Sequence, residues 1–502
     1  MLNIFAGGRP DHPLADPKEV KRVLDALPAQ DVKALEELAG WLESLGAAEL
    51  RTDLRIQRLL AVDDAAQART RKLGREVLQP SLQTSRFQDN LNWTRLHDYW
   101  RHAAIAFARC VDSFLQGAKG AEAAKVLLPV VVARAMRCLG QQLKWQYVRY
   151  APVDVELWGV LNKIYAFAEL RGIADARVNL YSGGTETTPK LEFLKVAMFG
   201  ASSPDSLVPV EVELAERVVA ELATGFAIAA QPERELLYWT DLGRATAPLR
   251  SLREPKPAPS LRFFGPGGAH AALAVLIKRT EGAREAPASL NLGASYDPEA
   301  VLGALRHLAV YWDREPPERR HPRHSVRSKL TVTHGFKGVL EVLGTNGGGV
   351  LEFDPASAEN WTVENVSAGG FGALARQAKS EWLKVGALLA LQPEGGRNWV
   401  VGAVRRVTRL SKDEARVGIE TLSRSPALSH FSGGGENEPG VLLAAAPETG
   451  ETSIALRAGA FVRGRNLEAE VGGRQHVYLP QQVDERGEDY EIARFREMVR
   501  ES

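Results

Sequence analysis

Apolar residues recur at steps of three and four through much of residues 17–230. Examples are DVKALEELAGWLESL, LHDYWRHAAIAFARCVDSFL and VELAERVVAELATGFAI. That period belongs to helices with one buried face, so the region is expected to be mainly helical. Asp31 and Asp205 are read as helix-start signals. Trp100, Phe107 and Phe114 stand seven residues apart, share one helix face and are expected in a core. A break between helices is expected at Tyr147–Pro152, because proline disfavours helical backbone at the residue before it.

The pattern changes after Gln231. Leu237-Tyr238-Trp239 leads into a segment carrying Pro248, Pro255, Pro257 and Pro259, followed by LRFFGPGGAH and a helix-like AALAVLIKRT. The glycines of GPGGAH match neither GxGxxG nor GxxxxGK[ST], so a turn is expected there and not a phosphate cradle. From Arg319 onward the pattern is β. In HSVRSKLTVTH, Val326, Leu330 and Val332 are expected to face one way and Arg327, Lys329 and Thr331 the other. NWTVENVS, GALLALQP, NWVVGAVRRVTRL and EARVGIETL follow, separated by GGG, PEGG and KDE turns, and suggest a small closed barrel. SRSPALSHFSGGGENEPG reads as a linker by composition. VLLAAA, TSIALRAGAF, NLEAEV and QHVYLPQQV then suggest a second β module, and GEDYEIARFREMVRE a charged terminal helix.

The expected architecture is therefore multidomain α+β. A helical domain occupies 1–230 and a connecting α/β segment with a proline-rich loop occupies 231–317. A small β-barrel follows over 318–423, then a C-terminal β module with a terminal helix over 424–502. A chain of 502 residues, 45% hydrophobic and 25% charged, has apolar mass for several cores. Its net charge of +1 argues against a nucleic-acid coat or a polybasic membrane binder, so any electrostatic role falls to a local patch. Cys110 and Cys138 have no CxxC spacing and are expected to be buried thiols of a reducing compartment. The N-terminal stretch lacks the basic start and apolar run of a signal peptide. The longest apolar run, Val126–Ala133, is interrupted by Pro129 and too short to span a bilayer. A cytoplasmic protein with no integral membrane segment is expected.

Candidate chemistry concentrates at the start of the first barrel. Between Arg314 and Lys329 there are six basic residues against two acids, with Arg319, Arg320 and Arg323 on a proline-kinked lead-in and Arg327 on the next strand. Guanidinium groups are planar, permanently charged and forked, so they can hold phosphate or the O6/N7 edge of guanine and can stack on a purine. The second element, ENVSAGGFGALA, offers Asn365, Ser367, Gly369 and Gly370 at a strand end. A short amide, a hydroxyl and glycines there present donors and allow close backbone approach. No HExxH, GxSxG elbow or paired-acid arrangement is present, and no enzyme site is expected.

Together these elements resemble the PilZ domain, a family of bacterial cyclic di-GMP receptors, over about residues 318–423. Arg319 and Arg323 stand as its RxxxR pair with Arg320 between them. Asn365, Ser367 and Gly370 stand as [DN]xSxxG, and WVVGAVRRVTRLSKDEARVGIETLS looks like its closing strands. The resemblance implies a PilZ-like barrel that binds cyclic di-GMP through Arg319, Arg320, Arg323, Asn365, Ser367 and Gly370, with Arg327 and Gly369 as secondary candidates. It implies a regulatory ligand with no cofactor or metal, and a protein partner, not nucleic acid, reached through the N-terminal helical domain. The alternative is a structural adaptor whose PilZ-like domain binds no nucleotide. One departure is the interval between Arg323 and Asn365, which holds an extra FKGVLEVLGTNGGGVLEFDPASAE. It is expected to be an inserted hairpin or helix-plus-turn at the barrel rim, over the ligand or against the partner.

Overall fold

A computed structural model describes residues 12–499 except 49, 80–82, 253–254, 288–289, 291–295, 316–320, 347–357, 377–381, 412, 434–435 and 447–449. The chain forms two compact units. The first holds residues 1–149, 153–204 and 209–317. Its helices are α1 (Val20–Asp25), α2 (Asp31–Ala47), α3 (Thr52–Leu78), α4 (Arg86–Leu115), α5 (Leu128–Val148), α6 (Val155–Leu170), α7 (Pro189–Ala201) and α8 (Pro209–Glu221). Two further helices are α9 (Ala269–Thr280) and α10 (Pro298–Trp312). A small hairpin joins β1 (Val178–Asn179) to β2 (Glu186–Thr187). β3 (Ala227–Ala229), β4 (Tyr238–Asp241), β5 (Leu249–Arg250) and β6 (Leu261–Gly265) form an antiparallel sheet in the order β3-β6-β4-β5. The proline-containing segment after Gln231 thus packs in one unit with the helices.

α4 packs on α2, α3 and α5, and the seven-residue stripe lies where its period places it, with Trp100 and Phe107 buried. Pro129 falls in the first turn of α5, where its missing N–H has no intrahelical partner to lose. Cys110 and Cys138 are free and buried. The glycines of GPGGAH form a tight turn, in which a Cβ on Gly267 would stand 2.5 Å from the Gly225 carbonyl oxygen.

The second unit holds 318–502 with two short segments, Tyr150–Pro152 and Asp205–Val208. Its first half is a closed six-stranded barrel of β7 (His324–His334), β8 (Glu359–Ser367), β9 (Gly370–Arg376), β10 (Leu388–Pro393), β11 (Val400–Arg409) and β12 (Glu414–Ser423). The strand order is β10-β11-β12-β9-β8-β7. Leu330, Trp361, Leu389, Val404 and Val417 fill its core together with Tyr150. The Tyr150 hydroxyl donates to the Leu207 carbonyl at 2.9 Å and accepts from the Val385 N–H at 3.2 Å. Asp205, expected to start a helix, instead accepts from Arg406 Nε at 2.6 Å and Thr408 Oγ1 at 2.8 Å. α8 begins later, at Pro209.

A second closed barrel follows: β13 (Ala427–Gly433), β14 (Glu436–Ala446), β15 (Glu451–Arg457), β16 (Leu467–Val471), β17 (Arg474–Arg486) and β18 (Tyr490–Val499). Two expectations are corrected here. The stretch read as a linker contains β13 and the start of β14, paired from Ala427–Leu442 to Gly433–Glu436. The expected terminal helix is β18. Glu491, Ala493 and Phe495 point into the barrel, while Tyr490 and Ile492 on the opposite face are buried against the first barrel. Burial on both faces hides the alternation that marks a strand, and tertiary pairing overrides the helix-favouring Glu, Ala, Arg and Met.

The insertion after β7 is a helix, α11 (Gly335–Asn346). It does not stand over the rim as expected. Phe336, Val339, Val342 and Leu343 lie on one face and pack between the barrels, against Leu388 and Trp399 of the first and Val441 and Tyr490 of the second. Gly335 makes the reversal from strand to helix at φ +79, a left-handed conformation that favours glycine. The Asp489 carboxylate accepts the Phe336 N–H at 2.7 Å. The rest of the insertion, 347–357, lies outside the described residues.

Candidate ligand site at the barrel rim

The site is built where β7 begins and β8 ends. The antiparallel register sets His324 opposite Val366 and Ser325 opposite Asn365. Arg323 immediately precedes β7, next in the chain to the His324–Val366 pair. Next along, Val326 and Arg327 of β7 oppose the single residue Glu364, a β-bulge. Glu364 is also the extra residue between the pairs Val363–Ala373 and Asn365–Gly372 of β8 and β9. Two bulges at one level bend the strands and re-aim the side chains beyond them, a common device at barrel rims and beside sites. The bulge also overturns the alternation expected for β7. Leu330 and Val332 are buried, but Val326 is exposed.

β8 and β9 are joined by the two-residue loop Ala368–Gly369, closed by the pair Ser367–Gly370. Gly370 is buried, and a Cβ there would lie 2.0 Å from the Ile419 carbonyl oxygen. No other residue allows β9 to meet β12 at this point. Gly372 has a similar role that the sequence reading missed. The Asn365 amide lies across it, with both amide heteroatoms 2.6 Å from where a Cβ would stand. Asn365 Oδ1 is buried and meets no hydrogen-bond donor among the described residues. Ser367 Oγ donates to the Gly370 carbonyl over a long 3.4 Å, its one side-chain hydrogen bond among the described residues.

Cations surround this turn. Arg323 and Arg327 are exposed and make no hydrogen bond or ion pair with a described residue. Glu364, the acid nearest Arg327 by register, is already engaged by Arg416, Nε to Oε2 at 2.8 Å. The His321 ring lies against Gly369, 3.2 Å from the position of its missing Cβ. Arg424 Nη2 donates to the Ala368 carbonyl at 2.8 Å. His321 fills an unspecified position of RxxxR and Arg424 stands outside both motifs, and the folded rim brings both here. The structure thus brings together Arg323, Asn365, Ser367, Gly369 and Gly370, with Arg327 in the adjacent bulge. Arg319 and Arg320 lie outside the described residues.

Two family models match the chain: the N-terminal domain of the cyclic-di-GMP receptor FimW over residues 18–233, and the middle PilZ domain of the same receptor over 355–427. The first barrel is a PilZ domain, and the chain belongs to this family of cyclic di-GMP receptors. The PilZ match begins after β7, so it includes Asn365, Ser367 and Gly370 but not the arginines. No curated protein sequence matches the chain. No described helix is long and apolar enough to cross a membrane.

Proposed function

We propose that this PilZ-family protein binds cyclic di-GMP at the rim of β7, β8 and β9 through Arg319, Arg320, Arg323, Asn365, Ser367 and Gly370. Arg327 and Gly369 stand in support. The ligand carries two phosphates and two guanines, so its site needs cations, a hydrogen-bond acceptor for guanine N–H groups and donors for phosphate oxygens. Arg323 and Arg327, unengaged by any described acid, supply the cations. The free Asn365 Oδ1 supplies the acceptor, and Ser367 Oγ and the turn backbone supply donors. The observation that carries the reading is the bulged register. It pairs Ser325 with Asn365, whose amide oxygen has no donor among the described residues, two residues from the unengaged Arg323.

The output is a protein partner of the helical unit, which carries apolar helical stripes and, over residues 17–230 of the sequence, no metal spacing or phosphate loop. On this reading the chain is a receptor without catalytic activity, working in the cytoplasm. Calorimetric titration of the full chain with cyclic di-GMP, with GTP and cyclic di-AMP as controls, tests the site. Saturable binding of cyclic di-GMP that is weakened by Arg323→Ala is expected, with no such dependence on Arg323 for either control. No binding would instead favour the structural-adaptor reading.

A further inference from the structure

The helical unit carries a half-open cleft of about 360 Å³ between α3, α5 and α8, remote in sequence from the barrel rim. That volume is within the range of small-molecule sites, roughly 300–1,000 Å³. Its wall is strongly cationic. Arg71, Arg75, Arg137, Lys144, Lys195 and Arg217 line it, against the acids Glu213, Glu216 and Glu221. Counting also Glu192, which sits behind the wall between Arg137 and Lys195, two more cations than acids remain.

The pairing is uneven. Glu192 is shared by Arg137 at 2.7 Å and Lys195 at 2.7 Å. Glu213 is shared by Lys144 at 2.8 Å and Arg217 at 2.6 Å. Arg75 is exposed and makes no hydrogen bond or ion pair with a described residue, and Arg71 donates only to the Gln67 carbonyl of its own helix at 3.1 Å. Lys144 and Glu213 are themselves buried, a placement that costs solvation and is retained where charge has a use.

Two neutral donors add to this. Trp100 and Trp145 line the same cavity at 5% and 3% exposure, and their buried indole N–H groups meet no acceptor among the described residues. Buried donors without acceptors are uncommon and costly. Gly74, inside α3, lets the Trp145 ring close in. A Cβ there would stand 2.9 Å from its Cζ2. A glycine inside a helix costs about 1 kcal/mol relative to alanine, so the approach of this ring is maintained against local preference.

We propose that this cavity is a second ligand site, taking a small polyanion of the phosphate-ester class. Its charge answers the surplus cations, with Arg71 and Arg75 at the mouth, and a turn of either indole ring would offer its closed-off N–H to the ligand's oxygens. The full chain should bind inorganic pyrophosphate in a calorimetric titration. GTP, run as a second arm, separates a site for bare phosphate groups from one that also admits a nucleoside.

Replacing both mouth residues, Arg71→Glu with Arg75→Glu, should weaken pyrophosphate binding at least tenfold. Both side chains are solvent-exposed, so the far-UV spectrum should not change. Arg323→Ala at the barrel rim should leave pyrophosphate binding as it was. The proposal is overturned by any of three results: no binding of pyrophosphate or GTP, unchanged affinity in the double variant, or loss of binding in Arg323→Ala. Citrate binding as tightly as pyrophosphate would likewise remove the phosphate assignment.

Discussion

Arg405 of β11 reaches from the first barrel to the second and holds both carboxylate oxygens of Glu485 on β17, at 2.8 and 2.6 Å. Its Nε also donates to Glu420 at 2.7 Å. The Tyr490 hydroxyl lies 2.8 Å from Glu485 Oε1 and 3.0 Å from the Gly386 carbonyl, so its one proton serves either barrel in turn. Two-pronged Arg–carboxylate pairs fix geometry as well as adding energy. Arg405→Ala should destabilise the second unit by about 1–3 kcal/mol, since Glu485 keeps only the tyrosine. Denaturant midpoints of parent and variant check this, and an equal midpoint would mean that the apolar seam alone joins the barrels.

At the rim, Arg323→Ala should weaken cyclic di-GMP binding by about 2–3 kcal/mol, the scale of a charge-assisted contact. Ser367→Ala should cost less, about 0.5–1.5 kcal/mol, because a neutral hydroxyl is lost. The order of the two losses, read by calorimetry, matters more than their sizes. A serine loss as large as the arginine loss would point to collapse of the Ala368–Gly369 turn.

Gly370→Ala places a methyl 2.0 Å from the Ile419 carbonyl, so β9 and β12 must part at their Glu420–Gly370 pair. A loss of roughly 2 kcal/mol or more is expected, at the upper end of overpacking costs. A thermal melt of the variant equal to the parent's would show that this end of the barrel yields freely.

Burial alone would push the Glu192 carboxyl up, but Arg137 and Lys195 outweigh it and hold it at about 2. Its folded value is thus below its unfolded one. The stability it contributes is fully present above about pH 4.5 and is lost as pH falls towards 2. The gap in unfolding free energy between the parent and Glu192→Gln should accordingly shrink across that window. A gap that stays constant with pH would show that the pair contributes nothing through charge.

Burial also pushes the Cys110 thiol up to about 12. Little thiolate forms at ordinary pH, and the group is enclosed in α4. Thiol reagents at pH 8 should label it only at the rate of unfolding, which mass spectrometry over a denaturant series can follow. Rapid labelling of native protein would contradict the packing of α4.

Residues with one buried face were legible from sequence. The three- and four-residue steps marked α2 and the C-terminal two-thirds of α4 but missed the first ten residues of α4, and the glycine and acidic turns separated β8, β10, β11 and β12 but left β9 unread. β18 was not legible, because Tyr490 and Ile492 are covered by the other barrel while Ala493 and Phe495 are covered by their own. Composition misled at β13 and β14 for a related reason. Small and polar residues can pair as strands once neighbours on both sides complete the ladder, and no local pattern records those neighbours. At the rim, motif spacing pointed to Arg323, Asn365, Ser367 and Gly370. The register of β7 on β8, the Gly372 gap beneath Asn365, and Arg424 arriving from the far side of β12 depend on pairings between distant segments.

α11 separates two things usually treated as one. The stretch with a PilZ relative runs over 355–427, yet it lacks β7 and the helix that follows it. Excised at those limits, the piece would be a five-stranded sheet with two unpaired edges, and Leu388 and Trp399 would face water where α11 and the second barrel had covered them. Kinship within this unit is counted in the first barrel, whereas the apolar core around α11 is shared by both barrels. A fragment meant for ligand work should therefore be cut to the larger boundary.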